Sequence, residues 1–108
     1  METVKEELLW VGHPLSVELR LLCDEDNSGD YELLPEEPLK LRWRQLKQEL
    51  RKLGFVKQGR HDRFDEFSLG ESSVVITHDG RMLLLGVSPA SPRRALALAA
   101  LFLTCDSQ

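Results

Sequence analysis

Hydrophobic and polar positions along the chain follow two different periods, and these periods predict both strands and helices. Over residues 16–22 every second residue is apolar, which is typical of a half-buried strand. Over residues 39–55 apolar residues recur every three or four positions, which predicts an amphipathic helix from Pro38 to Gly54. A shorter stripe predicts a helix within residues 1–11.

The second half of the chain predicts four short strands and a closing helix. The strands are expected over residues 55–58, 63–69, 73–78 and 81–87. Asp79-Gly80 separates the last two strands and predicts a two-residue type I′ hairpin turn. Ser91 and Pro92 suit the N-cap and first turn of a helix that runs to about Thr104.

The order of these elements predicts an α+β fold within a single domain, residues 1–108. We expect a two-layer sandwich of about five mainly antiparallel strands in the order β-α-β-β-β-β-α, with both long helices on one face. Residues 1–15 then form an N-terminal appendage that holds the short helix. Residues 24–36 are acidic and contain Asn27-Ser28-Gly29, which favours an exposed loop.

Apolar residues are more numerous than a two-layer fold needs. A turn centred on Asp79-Gly80 sets Val75 opposite Leu84 and makes both faces of that hairpin apolar, and the last helix is apolar on two sides. Three arrangements would cover the surplus apolar side chains: residues 8–11 folded back over them, a homodimer, or a protein partner. The residues predicted to bind a partner are Val75, Met82, Leu84, Leu96 and Leu103, with Arg44, Lys47 and Arg51 as a basic rim.

Charge is segregated along the chain more strongly than its overall net charge of −4 suggests. Residues 1–38 hold eleven acids and two bases, for a net charge of −9. Residues 39–63 hold nine bases and two acids, for a net charge of +7. The two segments either compensate each other or meet partners of opposite sign. Nucleic acid is not expected, because the basic helix lacks interleaved exposed aromatic residues.

The acidic segment carries part of a calcium-binding pattern. Asp24, Asp26 and Ser28 occupy the first, third and fifth places of an EF-hand loop, and Glu32 occupies the ninth. Pro35 stands at the twelfth place, where that loop needs a bidentate carboxylate. A solvated acidic segment is therefore the preferred interpretation, and calcium or small-ligand binding is the alternative function.

Catalytic chemistry has little support in the sequence. Neither His61 with Asp62 nor His78 with Asp79 shows the spacing of a general base or a zinc site, and no cofactor is expected. The two cysteines, Cys23 and Cys105, stand far apart, which favours free thiols in a reducing compartment. No signal peptide is expected, because the first residues lack a basic start followed by a long apolar run, and the apolar run over residues 95–103 is too short to span a membrane. We therefore expect a cytoplasmic protein.

From residue 50 onward the chain resembles the C-terminal region of bacterial ThiF/MoeB/HesA-type adenylyltransferases. The matching residues are Leu53-Gly54, Asp79-Gly80-Arg81, Gly86 and Pro92-Arg93-Arg94. The resemblance implies an accessory module beside an enzyme that activates the C-terminus of a ubiquitin-like sulfur carrier. It carries over no active-site residue, because the nucleotide-binding and catalytic cysteine segments of that family are not in this sequence. The sequence therefore predicts a small non-enzymatic domain that acts by self-association or by docking on a larger protein.

Overall fold

The structure is a computed structural model that describes residues 3–25, 27–59 and 63–107. Within these residues it forms seven strands and two helices. The strands are β1 (Thr3–Trp10), β2 (His13–Glu25), β3 (Ser28–Pro35), β4 (Val56–Gln58), β5 (Phe64–Leu69), β6 (Ser72–Thr77) and β7 (Met82–Val87). The helices are α1 (Trp43–Lys52) and α2 (Pro92–Ser107).

All seven strands belong to one antiparallel sheet in the order β1-β2-β3-β7-β6-β5-β4. The long β1 and the three-residue β4 are therefore the two edges, and β7 lies in the middle. The expected sandwich of about five strands with a short N-terminal helix is wrong. The two additional strands are β1 and β3, which come from the expected appendage and the expected acidic loop.

One face of the sheet, here called the inner face, packs against the helices. Tyr31, Leu84, Val74 and Phe67 lie in one row across four neighbouring strands, and all four are buried. The ring of Phe102 on α2 contacts Phe67 edge-on at 5.9 Å between centroids. Burial of this row against α2 forms the hydrophobic core and supplies the main driving force for folding.

The N-terminal segment is a strand because it pairs with β2 over its whole length. Val4, Leu8 and Trp10 occur on alternate positions and pack against the core, whereas the stripe used to predict a helix needs a spacing of three to four. Val11 and Gly12 connect the strands as a two-residue turn, and both have positive φ, 49° and 77°. This is the type I′ arrangement, which was expected only at Asp79-Gly80.

The acidic segment forms most of a hairpin rather than a loop. β2 continues to Glu25, Asn27 turns the chain with a φ of 72°, and β3 begins at Ser28. Tyr31 and Leu33 alternate on the inner face and are buried, so the apolar alternation outweighs the acidic composition. Asp26 lies outside the described residues.

The turn between β6 and β7 is one residue longer than expected, and this changes which side chains share a face. The amide of Gly80 donates to the carbonyl of Thr77, and the amide of Thr77 donates to the carbonyl of Arg81. His78, Asp79 and Gly80 thus form a three-residue loop in which Gly80 has a φ of 93°. Val75 consequently pairs with Leu83 and Ile76 with Met82. The expected pairing of Val75 with Leu84 is wrong by one residue, which moves every β7 side chain to the other face.

Helix α1 is shorter than its sequence pattern. Leu39 precedes the helix, donates its amide to the carbonyl of Asp79 and buries its side chain against Gly80. These contacts lie in a non-helical segment that ends at Arg42, and the helix begins at Trp43. The predicted end is confirmed, since Gly54 follows with a φ of 97°. Among the described residues, neither helix is both long and apolar enough to cross a membrane.

Candidate functional site

The face of the sheet opposite the helices, here called the outer face, has no second layer among the described residues. Its central row runs across five strands as Arg20, Glu32, Leu83, Val75 and Glu66. Both helices lie on the inner side: α2 contacts Phe67, and Lys47 of α1 pairs with Asp65. Nothing among the described residues therefore packs over this row as a layer.

The centre of the outer face is apolar. Neighbouring strands place five half-buried apolar side chains there, and we call them the outer apolar patch: Leu34, Phe64, Val75, Leu83 and Leu85. Val75 lies directly opposite Leu83, whereas Phe64 lies opposite Thr77 and Leu85 opposite Ser73. Apolar surface bordered by polar residues is typical of protein-interaction sites. The patch is built on the central strands of the sheet, so its shape is held by the backbone pairing.

A charged cluster adjoins the outer apolar patch. Glu32 is buried although it lies on the outer face, because the side chains of Arg20 and Arg81 cover it. Arg20 approaches the Glu32 carboxylate at 3.5 Å, and Arg81 donates a hydrogen bond to the other carboxylate oxygen. The cluster has one positive charge in excess, and about half of the Arg81 side chain is exposed. It can therefore accept a further carboxylate from a bound molecule.

The residues predicted to bind a partner are not brought together. Val75 lies in the outer apolar patch, but Met82 and Leu84 are fully buried on the inner face. Leu103 is also buried in the core, and Leu96 is half-buried on α2. Val75 lies directly opposite Leu83, and Leu85 lies on the same face opposite Ser73. Counting alternate residues from the correct turn would have identified both leucines.

The predicted basic rim lies on the helix side of the sheet and does not border the outer face. Arg44 and Arg51 are exposed on α1. Lys47 pairs with the buried carboxylate of Asp65 at 3.5 Å, and Lys57 of β4 reaches the same group at 3.6 Å. Two lysines thus pair with one buried acid, which accounts for its burial on the inner face.

Among the described residues, no ion pair joins the acidic segment to the basic segment. The described ion pairs of Lys47 and Lys57 end on Asp65, and that of Lys52 ends on Glu49. The order of the strands also sets the acidic β1–β2 hairpin and the basic β4 at opposite edges of the sheet. The described acidic side chains of residues 1–38 therefore keep a charge that the basic segment does not pair with.

The residues of the calcium hypothesis are spread along a hairpin. Asp24 pairs with Gly29 near the turn, whereas Glu32 lies further along β3 and is held by two arginines. Among the described residues, no group of three or more His, Cys, Asp or Glu side chains is arranged to hold a metal ion.

The titratable residues near the β6–β7 turn have structural partners. Asp79 accepts a hydrogen bond from the Thr77 hydroxyl, which lowers the pKa of that carboxyl, with further lowering by the Arg81 amide and charge. The ring of His78 lies edge-on to Trp43 at 5.1 Å. His61 and Asp62, the other predicted pair, lie outside the described residues.

Both cysteines are free. Cys23 is exposed on β2, whereas Cys105 is buried on α2. Burial raises the pKa of the Cys105 thiol, and the nearby Glu49 charge raises it further. A buried thiol with a raised pKa is a poor nucleophile, so Cys105 packs the core.

No family model, curated protein or solved structure matches this chain. The resemblance to the adenylyltransferase region thus stays a prediction. The site is defined by its own geometry: an apolar patch on the outer face of a seven-stranded sheet, bordered by the Glu32 carboxylate and the two arginines that pair with it.

Proposed function

We propose that this chain is a small non-enzymatic interaction domain that binds a partner protein through the outer apolar patch. The observation that carries the proposal is the placement of Leu83 and Val75 at the centre of the outer face, where neither helix covers them. The hydrophobic effect favours removing such a surface from water.

The charged cluster indicates what the partner presents. We expect an apolar surface that carries a carboxylate at its edge, because Arg20 and Arg81 share only one buried acid. Such a carboxylate would form a charge-assisted hydrogen bond with Arg81 and set the orientation of docking. Docking on a larger enzyme, as the adenylyltransferase resemblance implies, is one form of this proposal.

The proposal assigns no catalytic residue. His78 packs against Trp43, and Cys105 is buried with a raised pKa, so neither presents a reactive group at the outer face. Two free cysteines fit a reducing compartment, and we include a cytoplasmic location in the proposal on that ground.

The experiment isolates, from the native host, the proteins that co-purify with four tagged chains. These are the wild type and three variants, each with one aspartate substitution. Leu83→Asp and Val75→Asp place a charge in the patch, whereas Leu53→Asp places the same charge on a 49% exposed side chain after α1. A partner retained by wild type and Leu53→Asp and lost by both patch variants supports the proposal. Identical sets of bound proteins for all four chains would exclude it.

Folding must be checked in the same samples by thermal unfolding. The patch variants should stay folded, because Leu83 and Val75 are only half-buried. Met82→Asp serves as the contrast, since Met82 is fully buried and a charge there should unfold the chain. This difference between neighbouring residues also tests the observed register.

A further inference from the structure

The edge formed by β1 is a second surface, separate from the outer apolar patch. β1 has eight residues and pairs with β2 on one side; on its other side no strand pairs with it among the described residues. The opposite edge of the sheet is β4, which has only three residues. Short edge strands are a common protection against pairing with other chains; β1 is not short, so its protection is limited to the charges of Lys5, Glu6 and Glu7.

We propose that the open edge of β1 pairs antiparallel with β1 of a second copy of this chain, with a two-fold axis at Glu6. In this register Lys5 lies opposite Glu7 of the second copy, and Val4 lies opposite Leu8. Symmetry produces each of these pairs twice. The two sheets become one continuous sheet, and the proposal does not depend on the function proposed for the outer face.

The alternation of side chains along β1 limits the possible registers. Val4 and Leu8 lie on the inner face and pack against the core, while Lys5 and Glu7 lie on the outer face. Residues opposite each other in antiparallel strands share a face, so a shift of one residue would place apolar side chains against charged ones. Only shifts of two residues keep the faces matched.

Among those registers, the charges favour the one centred on Glu6. A shift of two in one direction sets Lys5 against Lys5 and Val4 against Glu6. A shift of two in the other direction sets Glu7 against Glu7. The register centred on Glu6 forms two Lys–Glu pairs and two Val–Leu pairs, and among the described residues the two Glu6 side chains are its only directly opposite like-charge pair.

The charge of Glu6 weakens the proposed dimer, because the two Glu6 side chains face each other at the two-fold axis. Its side chain is exposed between Val4 and Leu8 on the inner face, where a charge opposes edge pairing. Replacement by Gln removes the repulsion at the axis, so Glu6→Gln should tighten the dimer. The same change would have no such effect on a dimer formed through the outer face.

The first test measures the mass of the full chain in solution by analytical ultracentrifugation from micromolar to millimolar concentration. Wild type should form a dimer, and Glu7→Lys should raise its dissociation constant at least about tenfold, because two attractive pairs become repulsive. The double variant Lys5→Glu, Glu7→Lys should return the dissociation constant to the wild-type range, because opposite charges face each other again. Glu7 lies opposite Ser16 within its own chain, so the single variant should fold normally.

The second test uses a disulfide to report the register, in a Cys23→Ser background. Directly opposite residues have Cα atoms about 4.5–5.5 Å apart, a distance that a disulfide spans. Glu6→Cys should therefore cross-link two copies under mild oxidation. Thr3→Cys is the matched control, because it lies opposite Leu9 rather than opposite itself and should not cross-link.

A wild-type chain that stays monomeric at millimolar concentration overturns the proposal. A dimer that Glu7→Lys leaves unchanged, or that the charge exchange does not restore, also overturns it. Cross-linking by Thr3→Cys but not by Glu6→Cys rules out the register. The outcome is separable from the proposed function, because Leu83→Asp should abolish partner binding without changing the mass of the dimer.

Discussion

The indole N–H of Trp10 donates a hydrogen bond to the carboxylate of Asp106 at 2.7 Å, and so joins the first strand to the end of the last helix. The other oxygen of Asp106 accepts from the backbone amide of Arg42, which precedes α1. A carboxylate at the end of α2 is unfavourable to that helix, but here it lies at the positive end of α1. One buried acid thus connects β1, α1 and α2.

Asp106→Ala should lower the free energy of unfolding by about 2–4 kcal/mol, because it leaves two donors without an acceptor in a buried site. Urea unfolding of wild type and variant measures this difference. Trp10→Phe removes only one donor and should cost about 1 kcal/mol. Equal losses in the two variants would show that the contact between Asp106 and Arg42 contributes nothing.

Glu32→Ala should destabilise the chain by about 1–2 kcal/mol, since it removes the buried partner of two arginines that can still reach water. A double-mutant cycle with Arg81→Ala, followed by urea unfolding, isolates the contribution of that pair. We expect positive coupling between Glu32 and Arg81. Additive losses would mean that the ion pair seen on the outer face does not stabilise the fold.

Val11→Asn should raise the free energy of unfolding by about 1 kcal/mol. Val11 has a φ of 49°, a conformation that is unfavourable for a β-branched residue and well tolerated by Asn before Gly12. Thermal unfolding gives the measurement, and Leu9→Asn on the adjoining strand is the control that should not stabilise. A loss of stability in Val11→Asn would contradict the type I′ turn.

Gly80→Ala should lower the free energy of unfolding by about 2–4 kcal/mol. The loss has two causes, a positive φ at this position and crowding of the new Cβ against the buried Leu39. A Cβ at this position would lie 2.7 Å from Leu39 Cδ1. Gly12→Ala has a similar φ but nothing within 4 Å, and it should cost only about 1–2 kcal/mol. Equal costs in urea unfolding would show that Leu39 does not pack against the turn.

Asp79 should make the stability of the chain depend on pH in the acidic range. The Thr77 hydroxyl lowers the pKa of Asp79 in the folded chain below the reference value of 3.8. The stabilisation is therefore present above that value and is lost as the pH falls through the lower folded pKa. Thermal unfolding of wild type and Asp79→Asn between about pH 2 and 6 should show a difference that shrinks as the pH falls. A difference that grows with acid would contradict the hydrogen bond.

Elements with a strong local pattern were predicted well. Strands β5 and β6, helix α2 and the end of α1 at Gly54 all lie within a few residues of their expected positions. Periodicity and glycine placement act over a few neighbouring residues, so the sequence alone reports them. The segregation of charge along the chain is also a property of the sequence, and among the described residues no ion pair joins the acidic segment to the basic one.

Two other features were decided by contacts between distant parts of the chain. β1 is a strand because eight of its residues pair with β2 and because Trp10 contacts Asp106, almost the whole chain away. Which β7 residues belong to the outer apolar patch depends on one extra residue in the β6–β7 loop. The expected two-residue turn would place Met82 and Leu84 on the face of Val75, whereas the observed three-residue loop places Leu83 and Leu85 there. Local patterns for these segments fit more than one structure, and only burial against the rest of the molecule selects between them.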